Sequence, residues 1–406
     1  MATEYDVIIV GGGMVGASLA VALAGTDSRI AIIEAVSPGS DQQPSYDDRG
    51  LVLSLSSQRV LQTLGLWDQM AVSANPVRHI HVSDQHHFGF VRLHAEALNL
   101  SALGYVVLAR ELGQVLSSRI KRTGTIDLVC PAQVKAVAVR DNHVTVEIHG
   151  DNRSTKLDSK LLVAADGSQS HVCELLGIGS VVKDYAQTAI VTNVTPGMAH
   201  GDTAYERFTT HGPVALLPQS EQRCAVVFTV KTEDANTYMG MSEHEFIGKI
   251  QDCFGYRLGA FRKPGTRKSY PIKLITAKEQ VRDRIVVLGN AAHTIHPNAA
   301  QGFNLCLRDI AGLAEILVPA LRAGADPGQD RLLNRYQGLR ARDQNNIIRF
   351  TDGLASMFCN DLPHRIMLRN MGMLVIDLCP QLKREFMRRA MGIYGHQPAL
   401  VRGMPL

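Results

Sequence analysis

No stretch of this sequence reaches the roughly 18 uninterrupted apolar residues that a membrane-spanning helix requires. The N terminus, MATEYDVIIVGGG, carries Glu4 and Asp6 where a secretory signal would need basic residues. Both absences favour a cytoplasmic chain, free or held at a membrane surface. An excess of one charge sign is also missing: 42 Lys and Arg stand against 38 Asp and Glu, a formal charge of +4. That is far from the concentrated basic face that nucleic acid demands. The seven cysteines are scattered, odd in number and without a CxxC pair, so neither a disulfide framework nor a zinc site is indicated. There is no GxSxG, no glycosidase-like pair of carboxylates and no second nucleotide fingerprint. What remains is an ordinary globular balance, 45% hydrophobic and 20% charged, in 406 residues that allow two or three structural units.

The first positive signal is YDVIIVGGGMVGASLAVALAG. It reads as a buried strand over Asp6 to Val10, a tight turn, and a helix from about Met14 to Ala24. Gly11, Gly13 and Gly16 fill the glycine places of GxGxxG. The first permits the turn, the second admits a pyrophosphate close to the backbone, and the third lets helix and strand pack. The pyrophosphate then lies at the positive end of the helix. A second apolar strand, Arg29 to Ile33, ends at Glu34, eighteen residues beyond Gly16. A carboxylate there accepts both ribose hydroxyls of an adenosine and repels a 2′-phosphate. These residues alone leave open whether the dinucleotide is FAD or a nicotinamide nucleotide.

Two downstream segments narrow the choice. KLLVAADGSQSHV places a strand, Leu161 to Ala164, ahead of Asp166, Gly167 and Ser170, and DRIVVLGNAAHTIHPNAAQGFNLCLRD places another, Ile285 to Leu288, ahead of a run of small residues. The order GxGxxG, DG, G(D/N)AAH resembles the flavoprotein aromatic hydroxylases, FAD-dependent single-component monooxygenases. HPNAAQGFNLCLRD is similar to the HPxxGQGxNxGxxD signature of their ubiquinone-biosynthesis branch. DRGLVLSLSS, HVSDQHHFGFVRL, AYERFTTHGPVALLP and SYPI carry the resemblance across nearly the whole chain.

The resemblance implies an α/β fold: a discontinuous Rossmann-like FAD-binding domain over 1–75, 105–180 and 273–345, a mainly antiparallel β-sheet substrate domain over 76–104 and 181–272, and a C-terminal helical segment over 346–406. It implies FAD as cofactor, NADPH or NADH as transient reductant, and O2-dependent hydroxylation of a polyprenyl methoxyphenol through a flavin hydroperoxide. Alternatives are a hydroxylase or epoxidase of another aromatic or isoprenoid substrate, or a non-catalytic FAD-binding scaffold of a biosynthetic complex. Association with other ubiquinone-biosynthesis enzymes, peripheral membrane contact and a homo-oligomer belong to the same expectation.

By resemblance, Pro297 turns the chain and Gln301, Gly302 and Phe303 present backbone amides to the flavin ring, with Asn304 just inside the helix. Free amides at a helix N terminus neutralise the negative charge that a reduced flavin carries near N1 and O2. Asn290 is expected on the ribityl or phosphate region, Arg49 near flavin and substrate, and Arg110 on the FAD phosphates. Asp166 belongs to the same site, although SQSHV after Asp166-Gly167 lacks the usual arginine. Ala300 and Cys306 stand where the signature has glycine, and alanine predicts ordinary dihedrals at 300. His293 and His296 form an HxxH pair without further nearby ligands, which favours structural hydrogen bonds over a metal. Tyr205, Arg207 and His211 are candidates for a base in the roof of the substrate pocket. Near the C terminus, Met367, Met371, Leu374, Val375 and Leu378 follow helical spacing, flanked by Arg365, Arg369, Lys383, Arg384, Arg388 and Arg389. The stripe either packs on the body of the protein or meets anionic lipid or a pathway protein.

Overall fold

The computed structural model describes residues 3–37, 49–150, 153–358 and 362–406. The N-terminal apolar run forms β1 (Thr3–Val10), which passes through the glycine turn into α1 (Met14–Leu23) and back into β2 (Ile30–Ile33). Alternation along β1 sends Val7 and Ile9 into the core beneath α1, and Ile8 and Val10 into a second core on the opposite face. Burial on both faces explains why the run is continuously apolar. The chain continues through β3 (Gly50–Ser54), α2 (Leu55–Thr63), α3 (Trp67–Met70), β4 (Asn75–Val77), β5 (His79–Asp84), β6 (Phe90–His94), β7 (Gly104–Leu108) and α4 (Ala109–Lys121). Then come β8 (Ile126–Val129), β9 (Gln133–Val139), β10 (Val144–Gly150), β11 (Arg153–Ala164) and α5 (His171–Leu175).

The first sheet has the order β8, β2, β1, β11 and then two further strands, β18 (Ile285–Val287) and β17 (Val281–Arg282) at the edge. The four central pairings, β2–β8, β1–β2, β1–β11 and β11–β18, are parallel. β9 and β10 fold antiparallel onto β11 and help to cover one face. The other face is covered by α1, α4 and α8 (Gly302–Arg322), with α1 packed directly on α8. Strands β3, β7 and β4 form a small separate sheet.

The second large sheet is built from β5 and β6 together with β12 (Ser180–Val194), β13 (Thr203–Thr209), β14 (Gly212–Pro218), β15 (Cys224–Lys231), β16 (Lys268–Ala277) and β19 (His293–Thr294). All its pairings are antiparallel except β13 with β5. Its outer face buries Ile190, Val214, Leu216, Val226 and Phe228 under α6 (Ala235–Gly240) and α7 (Glu243–Phe254). Its inner face looks toward the first sheet and the N terminus of α8. The outer side of the sheet is thus filled by helices, while on the inner side the end near β5 and β6 packs against Phe358 and Met373.

Three helices close the chain: α9 (Asp330–Phe358), α10 (Pro363–Leu378) and α11 (Pro380–Ala390). α10 lies on β6 and is fixed by a buried cluster, with Arg369 Nε 2.8 Å from Asp84 Oδ2 and the Asn370 side-chain Oδ1 accepting from the Gly89 amide at 2.6 Å. Of the two readings of the Met-rich stripe, packing on the body is not the one the structure adopts. Arg369, Asn370 and Met373 face inward, whereas Met367, Met371, Val375 and Leu378 are exposed. The buried charge pair, with Asp84 on β5 as partner, sets the rotation of the helix. Among the described residues no helix is long and apolar enough to cross a membrane.

Candidate functional site

Three strand ends of the first sheet converge on the N terminus of α1. Gly11 leaves β1 with φ +103°, and a Cβ on it would lie 2.4 Å from the carbonyl oxygen of Ala165 at the end of β11. A Cβ on Gly16 would lie 2.0 Å from the Gly11 carbonyl oxygen. The turn after β18 closes from a third side, where Gly289 (φ +69°) sits against Val15. Gly13 is the extended N-cap of α1 and offers no side chain to its first turn. The amides of Met14, Val15 and Gly16 therefore point outward without an intrahelical acceptor. Glu34, just past β2, accepts from the Gly12 amide through Oε2 (2.6 Å) and from the Val36 amide through Oε1 (2.7 Å). Each oxygen keeps acceptor capacity, so the carboxylate is oriented but not used up.

Asp166 is placed beside this turn, with its side chain engaged elsewhere. It accepts from the Ser170 hydroxyl at 2.5 Å and from the Val172 amide at 3.0 Å, which caps α5. Asn290 is exposed, and its carbonyl accepts from the Thr294 hydroxyl at 3.0 Å. Arg110 is exposed in the first turn of α4. Its neighbour Ala109 donates a backbone bond to Arg49 at 3.0 Å, and the Arg49 guanidinium lies 5.1 Å from the ring centre of Tyr270 on the second sheet. Arg49 thus links the small β3–β7 sheet to the second large sheet.

The segment from His293 to Asn304 forms the second convergence. His293 Nε2 lies 2.6 Å from Asp309 Oδ2, and Arg340 Nε donates to Asp309 Oδ1 at 2.7 Å. Burial alone would raise the Asp309 pKa, but Arg340 and His293 hold it down at about 2. His296 turns the other way: Nε2 lies 3.2 Å from Gln187 Oε1, and Nδ1 accepts from the Asn298 amide at 3.1 Å. Burial pushes the His296 pKa down to about 4. The two histidines therefore serve separate hydrogen-bond networks. Among the described residues, the His and carboxylate atoms that do converge are those of His79, His94 and Glu96, within 4.8 Å of one another on the edge of the second sheet.

Ordinary dihedrals at residue 300 are contradicted. Ala299 and Ala300 both occupy the left-handed region, at φ +57° and +50°. For an L-residue that costs roughly 1–2 kcal/mol each, and neighbouring groups hold the shape. Asn304 Nδ2 donates to the Ala300 carbonyl at 2.7 Å and to the Val52 carbonyl at 2.8 Å, while its Oδ1 accepts from the Ser54 amide at 2.8 Å. Gln301 Nε2 donates to the carbonyls of Ala299 (3.2 Å) and Ala390 (3.1 Å). Pro297, exposed at φ −70°, opens the turn. The strained pair delivers Gly302 as the first residue of α8, its Cβ direction open with nothing nearer than Ile295 at 4.0 Å. Gly302, Phe303 and Asn304 present first-turn amides there. α1 and α8 pack on each other, and the N terminus of each favours an anionic group.

Across from α8, a row of inward-facing residues crosses the second sheet: Val82, Glu206, Ala215, Val227 and Val191, paired strand to strand. Ala215, Val227 and Val191 are only half-buried, unlike their outward neighbours, and Glu206 is half-buried as are Tyr205 and Arg207 beside it. Glu206 reaches the strained turn, where its Oε2 accepts from the Ala299 amide at 3.4 Å. Burial pushes its pKa up to about 7 against the opposing effect of that amide. Tyr205 and Arg207 point to the other face, against Phe254 of α7. His211 is exposed in the turn between β13 and β14. Sequence reading passed over Glu206 because AYERFT does not reveal which strand phase faces inward.

This arrangement, a βαβ dinucleotide cradle roofed by an antiparallel sheet, defines a flavoprotein hydroxylase fold. The chain belongs to the FAD binding domain family, whose model matches residues 4–351, and by class it is an FAD-dependent monooxygenase. It is 37% identical to the ubiquinone hydroxylase UbiL of Rhodospirillum rubrum over 404 residues, covering 99% of this chain and 93% of that protein. It is 31% identical to the 3-demethoxyubiquinol 3-hydroxylase of Escherichia coli over 392 residues, covering 96% and 98%. The crystal structure of p-nitrophenol 4-monooxygenase PnpA from Pseudomonas putida superposes with a TM-score of 0.81 at 18% identity, covering 98% of this chain and 100% of that one.

Proposed function

We propose that this monooxygenase hydroxylates the phenolic ring of a polyprenylated intermediate in ubiquinone biosynthesis, with NADPH or NADH as reductant. The observation that carries the reading is the half-buried apolar row of the roof facing the open N terminus of α8. It provides a flat, mostly apolar slot for an aromatic ring beside amides that favour an anion. The residues present fit FAD: Gly11, Gly13 and Gly16 would admit a pyrophosphate, Glu34 would hold a ribose, and Gln301, Gly302 and Phe303 would border the ring. When bound, FAD supplies the electron transfer and oxygen chemistry. The protein's part is to orient the ring against the substrate, hold its charge at Gly302 and Phe303, and keep water out. Arg49, Arg110 and Asn290 are assigned to the flanks of the cofactor, and Asp166 to shaping the turn beneath it.

A substrate with a long isoprenoid tail resides in lipid, and the outer surface of α10 and α11 supports contact with a membrane. Met367, Leu368 and Leu378 are 65%, 67% and 71% exposed, and Val375 and Leu382 extend the same surface. Arg365, Arg384 and Arg388 are exposed beside them, whereas Arg369 and Lys383 are paired with Asp84 and Asp377. Apolar residues with a basic border suit an anionic lipid surface. The test of the catalytic reading is a flavin spectrum of the purified protein followed by NAD(P)H oxidation with a short-tailed polyprenyl methoxyphenol. Flavin-loaded protein whose NAD(P)H consumption ignores the phenol, and which forms no hydroxylated product, would reject the reading.

A further inference from the structure

We propose that Glu206 is the hydrogen-bond acceptor and general base for the phenolic hydroxyl of the substrate. The inference rests on the reading of the substrate as a phenol and names the residue that recognises it. Three observations converge. Glu206 is the one charged residue in the row Val82, Glu206, Ala215, Val227, Val191, so a ring lying against that row meets a single carboxylate among apolar neighbours. The row's next charged residue, Lys268, is exposed four strands away, roughly 19 Å at strand spacing. Oε2 is anchored on the Ala299 amide, four residues before Phe303, which places the carboxylate beside the start of α8. Among the described residues Oε1 has no hydrogen-bond partner, leaving one acceptor free.

The surrounding titratable groups do not compete. His81 and Arg207 lie on the outer face of the sheet, against Tyr205 and Phe254. Asp84 on β5 is tied to Arg369 of α10, His296 is committed to Gln187 and the Asn298 amide, and Arg49 lies over Tyr270. In the step assigned to Glu206, the phenolic O–H bond breaks as an O–H bond forms on the carboxylate, and the electron pair stays on the phenolic oxygen. No oxidant or reductant enters. The electron-rich oxygen activates the ring, and the proton returns when the hydroxylated product leaves as a neutral phenol.

Because burial raises the Glu206 pKa to about 7, the carboxylate is ionised above that pH and protonated below it. The test compares FAD-loaded wild type with Glu206→Gln and Glu206→Asp, each first shown to keep its flavin spectrum. Binding of the short-tailed methoxyphenol and of its O-methyl ether is followed by flavin perturbation from pH 5.5 to 8.5. The wild type is expected to prefer the phenol by about tenfold or more at high pH, the range for a hydrogen bond to a charged acceptor. That preference fades as pH falls through 7, is small and pH-independent in Glu206→Gln, and is partly restored in Glu206→Asp. In turnover, Glu206→Gln should lower kcat by about 10²- to 10⁴-fold and lose the rising limb near pH 7. Equal preference and an unchanged pH profile in Glu206→Gln, beside a wild type that hydroxylates the phenol, would overturn the role of Glu206 alone. A wild type that neither binds nor hydroxylates the phenol would overturn the substrate reading and this role together.

Discussion

The N termini of α1 and α8 present the same kind of chemistry by opposite means. At α1 every tight approach is met by glycine: Gly11 carries the positive φ and the close contact with Ala165, Gly16 the close contact with Gly11, and Gly289 the contact with Val15, so no residue is held against its own preference. At α8 two alanines take left-handed conformations, and Asn304, Gln301 and Glu206, reaching to β3, α11 and β13, hold them there. The first end is assembled within one sheet from glycines that adopt its geometry freely. The second is an assembly that exists only once both sheets are in place, so it is the end that tertiary changes can tune.

The largest expected effect lies at the glycine-built end. Gly16→Val places carbon where the Gly11 carbonyl already sits, 2.0 Å away, and should abolish FAD retention after purification. Bound flavin near wild-type levels would show that the turn relaxes as freely as the α8 end. Acid should act selectively on the second end. His296 is held neutral to about pH 4 by burial, against about 6.5 in the unfolded chain. The unfolded state therefore binds the extra proton first, and stability is lost as pH falls from 6.5 toward 4, on the order of 3 kcal/mol. Denaturant midpoints of wild type and His296→Gln across that window should converge on acidification; parallel curves would remove His296 from the acid response.

Asn304→Ala deletes three hydrogen bonds that pin the strained pair and should cost about 2–3 kcal/mol of stability at roughly 1 kcal/mol each. It should also divert NAD(P)H-derived electrons to H2O2, whereas flavin retention through Glu34 persists. Tight coupling in a destabilised variant would separate the clamp from catalysis. Smallest is Ala300→Gly. Relief of the left-handed cost, offset by the greater chain entropy of glycine, leaves a net gain of about 0.5–1 kcal/mol. An unchanged or lower thermal midpoint would mean that residue 300 is not strained.

What was legible in the sequence follows from the same contrast. The GxGxxG turn and Glu34 could be read locally because glycine and a strand-ending acid are forced by nearby backbone. The α8 end was recognisable only as a pattern, and its conformation at Ala300 was misjudged because the compensating groups come from Val52, Ser54 and Glu206, distant in sequence. Glu206 was missed because strand phase depends on which face the partner sheet covers, and α6 and α7 claim the face bearing Tyr205 and Arg207. The orientation of the α10 stripe was left open by the sequence for a related reason. Its spacing reports a helix, but the buried Arg369–Asp84 pair decides which side turns inward.

The amides at the start of α8 are proposed to set the charge of the reduced flavin. Gly302→Pro tests it most directly. Proline suits the first position of a helix yet removes one of those amides, and the open Cβ direction at Gly302 leaves room for the ring. A spectroscopic titration of the reduced, flavin-loaded variant beside wild type should give a raised reduced-flavin pKa, with more oxygen diverted to H2O2. A flavin-loaded variant with an unaltered titration and fully coupled hydroxylation would contradict the claim.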